Sequence, residues 1–208
     1  MITIIDYDRG NLFSLGQAVH HLGGEFEISE NPGRVKYAEK LLLPGVGAFG
    51  DGMARLRQKG LVDAILQAAE RGTPILGICL GMQLLATVGE EFGNHKGLGL
   101  IPGVVRRLPQ NNKNDSQPSR IPNIGWRKLI PSSSGTEDFE AESMVYFLHS
   151  YVLETENPSH TTATIIFNEQ NVPAAVRHEN LIGYQFHPEK SGPVGLSLIR
   201  RFIESPKT

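Results

Sequence analysis

With 208 residues the chain is long enough for one well-buried domain and short for two. Its 20 basic and 22 acidic residues leave a net charge of −2, which gives no electrostatic footprint for nucleic acid, and no basic amphipathic helix points to a membrane surface. A single cysteine excludes an internal disulfide framework and a multi-cysteine metal site; with no basic leader and no run long enough to span a bilayer, a free thiol fits the reducing cytoplasm.

Ile2–Ile5 is a β-branched run that reads as a buried first strand. Asn11 is placed to cap a helix carrying Leu12, Leu15, Val19 and Leu22, closed by Gly23-Gly24. Phe26–Ser29 is a second strand. Leu41-Leu42-Leu43 is a third, ending in Pro44-Gly45-Val46-Gly47-Ala48-Phe49-Gly50. Asp51 is expected to cap the next helical stretch, and Leu61, Ile65, Leu66 and Ala69 share one face of a helix over residues 61–71. Thr73-Pro74-Ile75-Leu76 reads as a buried strand and Met82-Gln83-Leu84-Leu85-Ala86 as the start of a helix. This alternation with short links predicts βαβ units, hence an α/β fold with a parallel sheet covered on both faces. Such sheets bind ligands at the C-terminal ends of their strands, where the turn 44–50 and Cys79 both fall.

The second half reads differently. Residues 97–108 suggest a strand or hairpin arm, and 110–119 (QNNKNDSQPS) a polar, mobile loop. Strands are expected over 124–130, 144–153 and 161–167. A hairpin joins 173–177 to 181–186 through His178-Glu179-Asn180. Gly192-Pro193 opens a last helix with Val194, Leu198, Ile199, Phe202 and Ile203 as its apolar stripe. The late strands are antiparallel candidates at one side, so the sheet is expected to be mostly parallel but mixed. No repeat or linker divides the chain, and residues 1–208 are expected to form one domain.

Gly77-Ile78-Cys79-Leu80-Gly81 joins a strand to a helix, with glycines two residues either side of the only cysteine. That is the nucleophile-elbow pattern: the apex residue is strained, and bulky neighbours would strike the crossing strand and helix. The helix behind it directs its positive end at the sulfur, which favours thiolate. A lone cysteine is more often a small core hydrophobe, so the assignment turns on partners. A thiol nucleophile needs a base, and the base needs a carboxylate to fix its tautomer. Gln185-Phe186-His187-Pro188-Glu189-Lys190-Ser191 supplies both at a strand end, with a stiffening proline between them. A His beside a solvated Glu is the plainer reading of that segment alone; with the elbow it predicts a Cys79-His187-Glu189 triad.

GICLGMQLL, PGVGAF and QFHPEKS, in this order and spacing, resemble the class I (triad) glutamine amidotransferase family over essentially the whole chain. The resemblance implies a flavodoxin-like single domain in which Cys79 attacks the side-chain amide of glutamine, a thioester forms, ammonia leaves and water releases glutamate. An oxyanion hole would use the Leu80 amide and a second donor from Val46 or Gly47, whose turn has the glycines a peptide flip needs. The family's glutamine-binding positions fall on Gln83, Glu91, Ser150 and Tyr151, with Glu90 an alternative to Glu91. No cofactor and no metal is implied.

The opening IIDYDRGNL, Ile121-Pro122-Asn123-Ile124-Gly125-Trp126 and Tyr146-Phe147-Leu148-His149-Ser150-Tyr151 look like the family of glutaminase subunits of imidazole glycerol phosphate synthase. Those form a heterodimer with a (βα)8-barrel cyclase, which uses the ammonia to make imidazole glycerol phosphate and a carboxamide nucleotide (AICAR) in histidine biosynthesis. That fits a chain ending soon after the glutaminase helix. The resemblance puts Asn123, Trp126, Tyr146 and His149 on the stretch that faces the barrel. Trp126 and Tyr146 read equally well as core aromatics, and His149 as a structural or substrate-positioning histidine. Asn123 stands where those subunits usually have His, and Arg127 where Asn is usual. A paralogous glutaminase serving the amidination of a surface sugar is the alternative; a cysteine hydrolase or peptidase of the same fold group, or a non-catalytic binding module, are alternatives of other classes.

Overall fold

The computed structural model describes residues 1–110, 120–133, 135, 139–140 and 142–206; apart from Gln110, the polar loop expected over 110–119 lies outside them. β1 (Ile2–Ile5) is buried along its whole length, as an uninterrupted β-branched run in a central parallel strand requires. Its alternation sends Ile4 into one core layer and Ile5 into the other. α1 (Leu12–His21) is capped by Asn11, whose side chain accepts from the Ser14 amide at 3.3 Å. β2 (Phe26–Ser29) pairs parallel to β1. α2 (Pro32–Lys36) was not expected; five residues are too few for a periodicity, and its signal is the Asn31 cap followed by a proline in the first turn. β3 (Lys40–Gly45) flanks β1 on the other side.

α3 (Phe49–Gln58) starts before the expected Asp51 cap. Asp51 pairs with Arg9 instead, and the Phe49 amide donates to Glu91 Oε2 at 2.7 Å. α4 (Leu61–Glu70) follows as expected, and β4 (Ile75–Cys79) begins after Pro74, later than the expected Thr73, and runs on to the cysteine itself. The helix after the elbow, α5 (Leu80–Leu84), has only five residues, and the chain turns at once into β5 (Ala86–Gly89). β6 (His95–Lys96) and β7 (Ile101–Arg107) complete this part.

Two runs that read as single strands are each divided. Residues 124–130 become β8 (Asn123–Lys128) and β9 (Ile130–Pro131). Residues 144–153 become β10 (Met144–His149) and β11 (Tyr151–Thr155). The break is visible in the burial: β10 alternates, burying Val145, Phe147 and His149, whereas β11 buries Val152 and Leu153 in succession. A lost period of two marks the change of sheet. β12 (Thr161–Phe167), β13 (Gln170–His178), β14 (Leu181–Tyr184) and α6 (Gly192–Glu204) end the fold.

The main sheet runs β2-β1-β3-β4-β14-β13-β12-β9. It is parallel from β2 to β14 and antiparallel beyond, the expected mixed sheet. β8 and β10 make a separate antiparallel pair, and β11-β7-β5-β6 a third sheet, neither of which was expected. α1 and α6 bury Leu15, Val19, Leu198 and Phe202 on one face of the main sheet; α2 to α5 bury Val35, Met53, Ile65 and Leu84 on the other. Among the described residues no helix is long and apolar enough to cross a membrane.

Lys40 holds the last helix to the sheet. Its buried ammonium donates to the carbonyls of Phe202, Ile203 and Ser205 at 2.9, 2.5 and 2.6 Å, satisfying the open end of α6. Lys40→Met should keep the stem packed and strand those carbonyls, lowering unfolding free energy by about 2 kcal/mol in urea titration; an unchanged midpoint would show that water replaces the ammonium.

Candidate active site

The elbow is built by close approach. A Cβ on Gly81 would overlap the Leu43 carbonyl oxygen of β3, and one on Gly77 would lie 2.8 Å from the backbone of Gly81 and Met82. With both neighbours reduced to backbone, the chain reverses at Cys79 with φ 54° and ψ −113°, a strained conformation for a residue with a side chain. Cys79 is 7% exposed, and its Sγ lies 3.8 Å from both Gln185 Nε2 and the Leu148 carbonyl. The helix expected behind the cysteine is present as α5, but with only five residues it offers the sulfur its first-turn amides rather than a long dipole.

His187 follows β14 and is fixed through its backbone. Its amide donates to the Tyr146 carbonyl at 2.9 Å, and Ser191 Oγ donates to its carbonyl at 2.7 Å while accepting from the Tyr146 amide at 2.9 Å. Its Nδ1 bonds Glu189 Oε1 at 2.9 Å, and both side chains are almost fully shielded. That bond leaves Nε2 as the other ring nitrogen, buried and without a hydrogen-bond partner among the described residues. Burial alone would lower the His187 pKa; the Cys79 sulfur and the Glu189 carboxylate outweigh it and raise it from 6.5 to about 10. Cys79 and His187 line one cavity of about 300 Å³ at the strand ends.

Leu80, Val46 and Gly47 line the same cavity. Leu80 is the first residue of α5, so its amide has no acceptor within the helix. The Val46 amide is engaged: it donates to the Arg9 carbonyl at 3.2 Å, while Gly47 sits at φ 105°, a conformation that favours glycine.

Gln83, Glu91, Ser150 and Tyr151 line the cavity too. Gln83 Nε2 donates to the Tyr151 carbonyl at 2.8 Å and to Gln185 Oε1 at 3.0 Å. Of the two adjacent glutamates, Glu91 faces the cavity and Glu90 pairs with Arg106 outside it.

The four residues assigned to a partner surface separate into two pairs. Trp126 is 50% exposed and packs edge-to-face on Tyr146, with centroids 6.1 Å apart. Asn123 and His149, by contrast, are buried, and His149 lines the cavity. The alternation of β8 and β10 turns them inward, so neither is an outer contact of this chain. Burial lowers the His149 pKa to about 4; its bond to the Tyr151 carbonyl works against this and His187 adds to it. The sequence reading gave no role to Gln185, wholly buried beside the sulfur, or to Ser191, which ties β10 to the His187 turn. A signal for Gln185 exists: it is a polar residue in a strand end otherwise apolar, two positions before His187.

The model of the family "Glutamine amidotransferase class-I" matches residues 3–205. The chain is 40% identical over 98% of both chains to "Imidazole glycerol phosphate synthase subunit HisH 1" of Legionella pneumophila (strain Lens). It is 45% identical to "Imidazole glycerol phosphate synthase subunit HisH" of Thermosynechococcus vestitus, over 97% of this chain and 95% of that one. A crystal structure of a glutamine amidotransferase superposes with a TM-score of 0.73 at 18% identity, over 98% of both chains, and shows the shared fold. On the family match across nearly its whole length, the chain belongs to the class-I glutamine amidotransferase family.

Proposed function

We propose that this protein is the glutaminase subunit of imidazole glycerol phosphate synthase, with Cys79, His187 and Glu189 as its triad. The observation that carries the chemistry is the shared cavity: a strained thiol and an imidazole fixed by a carboxylate line one space of about 300 Å³, adequate for an amino acid. Cys79 Sγ attacks the side-chain carbonyl carbon of glutamine and the C=O electron pair moves onto oxygen. His187 Nε2–H protonates the departing nitrogen, the C–N bond breaks, and ammonia leaves a thioester. His187 then takes a proton from water, whose oxygen attacks the thioester carbon; glutamate leaves and the thiol is restored. Leu80 supplies one oxyanion donor. Val46 or Gly47 supplies the second once the bond to Arg9 opens. Gln83, Glu91 and the Ser150-Tyr151 backbone hold the glutamine.

The relatives are named as a subunit of a synthase, which supports a second chain; on this reading it is the barrel cyclase, in a cytoplasmic heterodimer. The outer face of β8 and β10 supports a second chain too: Ile124, Trp126, Met144 and Leu148 are all exposed there, and Leu148 lines the cavity. An apolar face of this kind at a site mouth suits a docking surface that seals it. Ammonia made here would then enter the barrel and serve formation of imidazole glycerol phosphate and AICAR.

The test is co-purification with the histidine-pathway barrel of the same genome, with ammonia release assayed from glutamine and from peptides. Turnover of glutamine should be weak for the chain alone and rise when barrel and nucleotide ligand are added. Cys79→Ser should lower it by about a thousandfold. Peptide turnover, or rescue only by a sugar-amidination barrel, would overturn the reading. Trp126→Ala should weaken the barrel complex by about 2 kcal/mol in calorimetry, with the fold intact.

The charge on His187 is separately measurable. Its ring nitrogens should titrate well above the ordinary 6.5, near 10, and Glu189→Gln should move the midpoint down by removing an anion. A folded-state value above the unfolded one gives stability that is complete below about pH 6.5 and lost as pH climbs through the folded value. Nitrogen-resolved NMR of the full chain checks this; a midpoint below 7 contradicts it.

A further inference from the structure

A line of hydrogen bonds enters the cavity wall from β8. Arg127 Nε lies 3.0 Å from Asn123 Oδ1, Asn123 Nδ2 lies 3.0 Å from His149 Nε2, and His149 Nδ1 lies 2.9 Å from the Tyr151 carbonyl oxygen. Donor and acceptor character fixes the direction of each link. A guanidinium only donates and a backbone carbonyl only accepts. Arg127 therefore takes the oxygen of the Asn123 amide and turns its NH2 towards His149. Nε2 of His149 must accept, so its proton sits on Nδ1 and is donated to Tyr151. Gln83 Nε2 reaches the same carbonyl at 2.8 Å and Gln185 Oε1 at 3.0 Å, which leaves Gln185 Nε2 to face the sulfur.

We propose that Arg127 is a positioning residue: by orienting the Asn123 amide it locks His149 as the neutral Nδ1–H tautomer, and so fixes the Tyr151 carbonyl to which Gln83 is also tied. This deepens the glutaminase reading and rests on it. Arg127 is half-buried, with its guanidinium carbon 5.9 Å from the Phe167 ring centroid, so it is held in place to do this. Without it the Asn123 amide is free to turn over. A turned amide offers its oxygen to Nε2, and His149 then faces an acceptor at each nitrogen. It must take a second proton or release Tyr151. The ionisable groups around it are His187, Cys79, Glu91 and Tyr151, which line the same cavity, and Arg127 behind Asn123. A second imidazolium facing His187 would be repelled by it and would disturb the proton donor of the reaction.

The experiment uses the full chain with nitrogen-labelled histidine at about pH 6.5, the ordinary histidine midpoint. Wild type should show His149, assigned by loss of its signals in His149→Gln, as neutral with the proton on Nδ1. Arg127→Met should remove that single state, and Arg127→Lys, still a donor, should keep it. Asn123→Asp, an isosteric change that only accepts, should charge His149. In both Arg127→Met and Asn123→Asp, labelling of Cys79 by a glutamine-mimicking diazoketone should slow by about tenfold. A wild-type His149 carrying its proton on Nε2, or charged, overturns the proposal, as does an unchanged tautomer or labelling rate in either variant that folds. The glutaminase reading fails differently: Cys79 of the wild type would then resist the diazoketone even with barrel and nucleotide ligand added, whatever the state of His149.

Discussion

The carbonyl of Leu43 lies where a side chain on Gly81 would have to go, and the site is built on that contact. It brings the end of β3 against the first turn of α5, so the turn after β3 and the amide of Leu80 border one cavity. The same squeeze leaves Cys79 in its positive-φ conformation, with the sulfur 3.8 Å from the Leu148 carbonyl of β10. Energy is lost locally at the elbow and offset by the surrounding core, since every residue of β4 and α5 is buried.

Two histidines share the cavity and are treated oppositely. Both are buried, so desolvation pushes both towards neutrality. For His187 the sulfur and the Glu189 carboxylate reverse the outcome; for His149 the neighbours are an amide and a carbonyl, which reward no net charge. One positive imidazole is thus concentrated beside the thiol. The difference lies in what each ring touches, not in depth.

The legibility of this fold follows residue spacing. β1, β2, β4 and β12 were readable as short apolar or β-branched runs, α1 by its Asn11 cap, and α4 and α6 by their apolar stripes. The elbow and the His187-Pro188-Glu189 segment were readable because their chemistry is local. What was lost required distant partners. The start of α3 depends on Glu91, which lies in another part of the sequence. The division of 144–153 depends on two different sheets competing for adjacent residues. The inward orientation of Asn123 and His149 depends on β8 pairing with β10, residue 123 opposite 149, a register no single segment encodes. Gln185 lay inside a motif already noted, and its role shows only when Gln83 and Cys79 are brought to it.

The turn after β3 explains why such a site would need a partner at all. Val46 is exposed while its amide is satisfied by Arg9, and Arg9 is in turn held by Asp51 at the start of α3. To become an oxyanion donor, that amide must exchange one acceptor for another, at a cost comparable with the hydrogen bond it gives up. Gly47 is the residue beside it that tolerates the rotation. Glutamine alone offers an uncharged carbonyl to the turn, a weak reward for moving; a surface covering Val46 and the β8–β10 face would remove water and strengthen the new bond. On the proposed function, such a site would spend little glutamine until a partner covered it, and Val46 and Leu148, both exposed, line the cavity that would be covered.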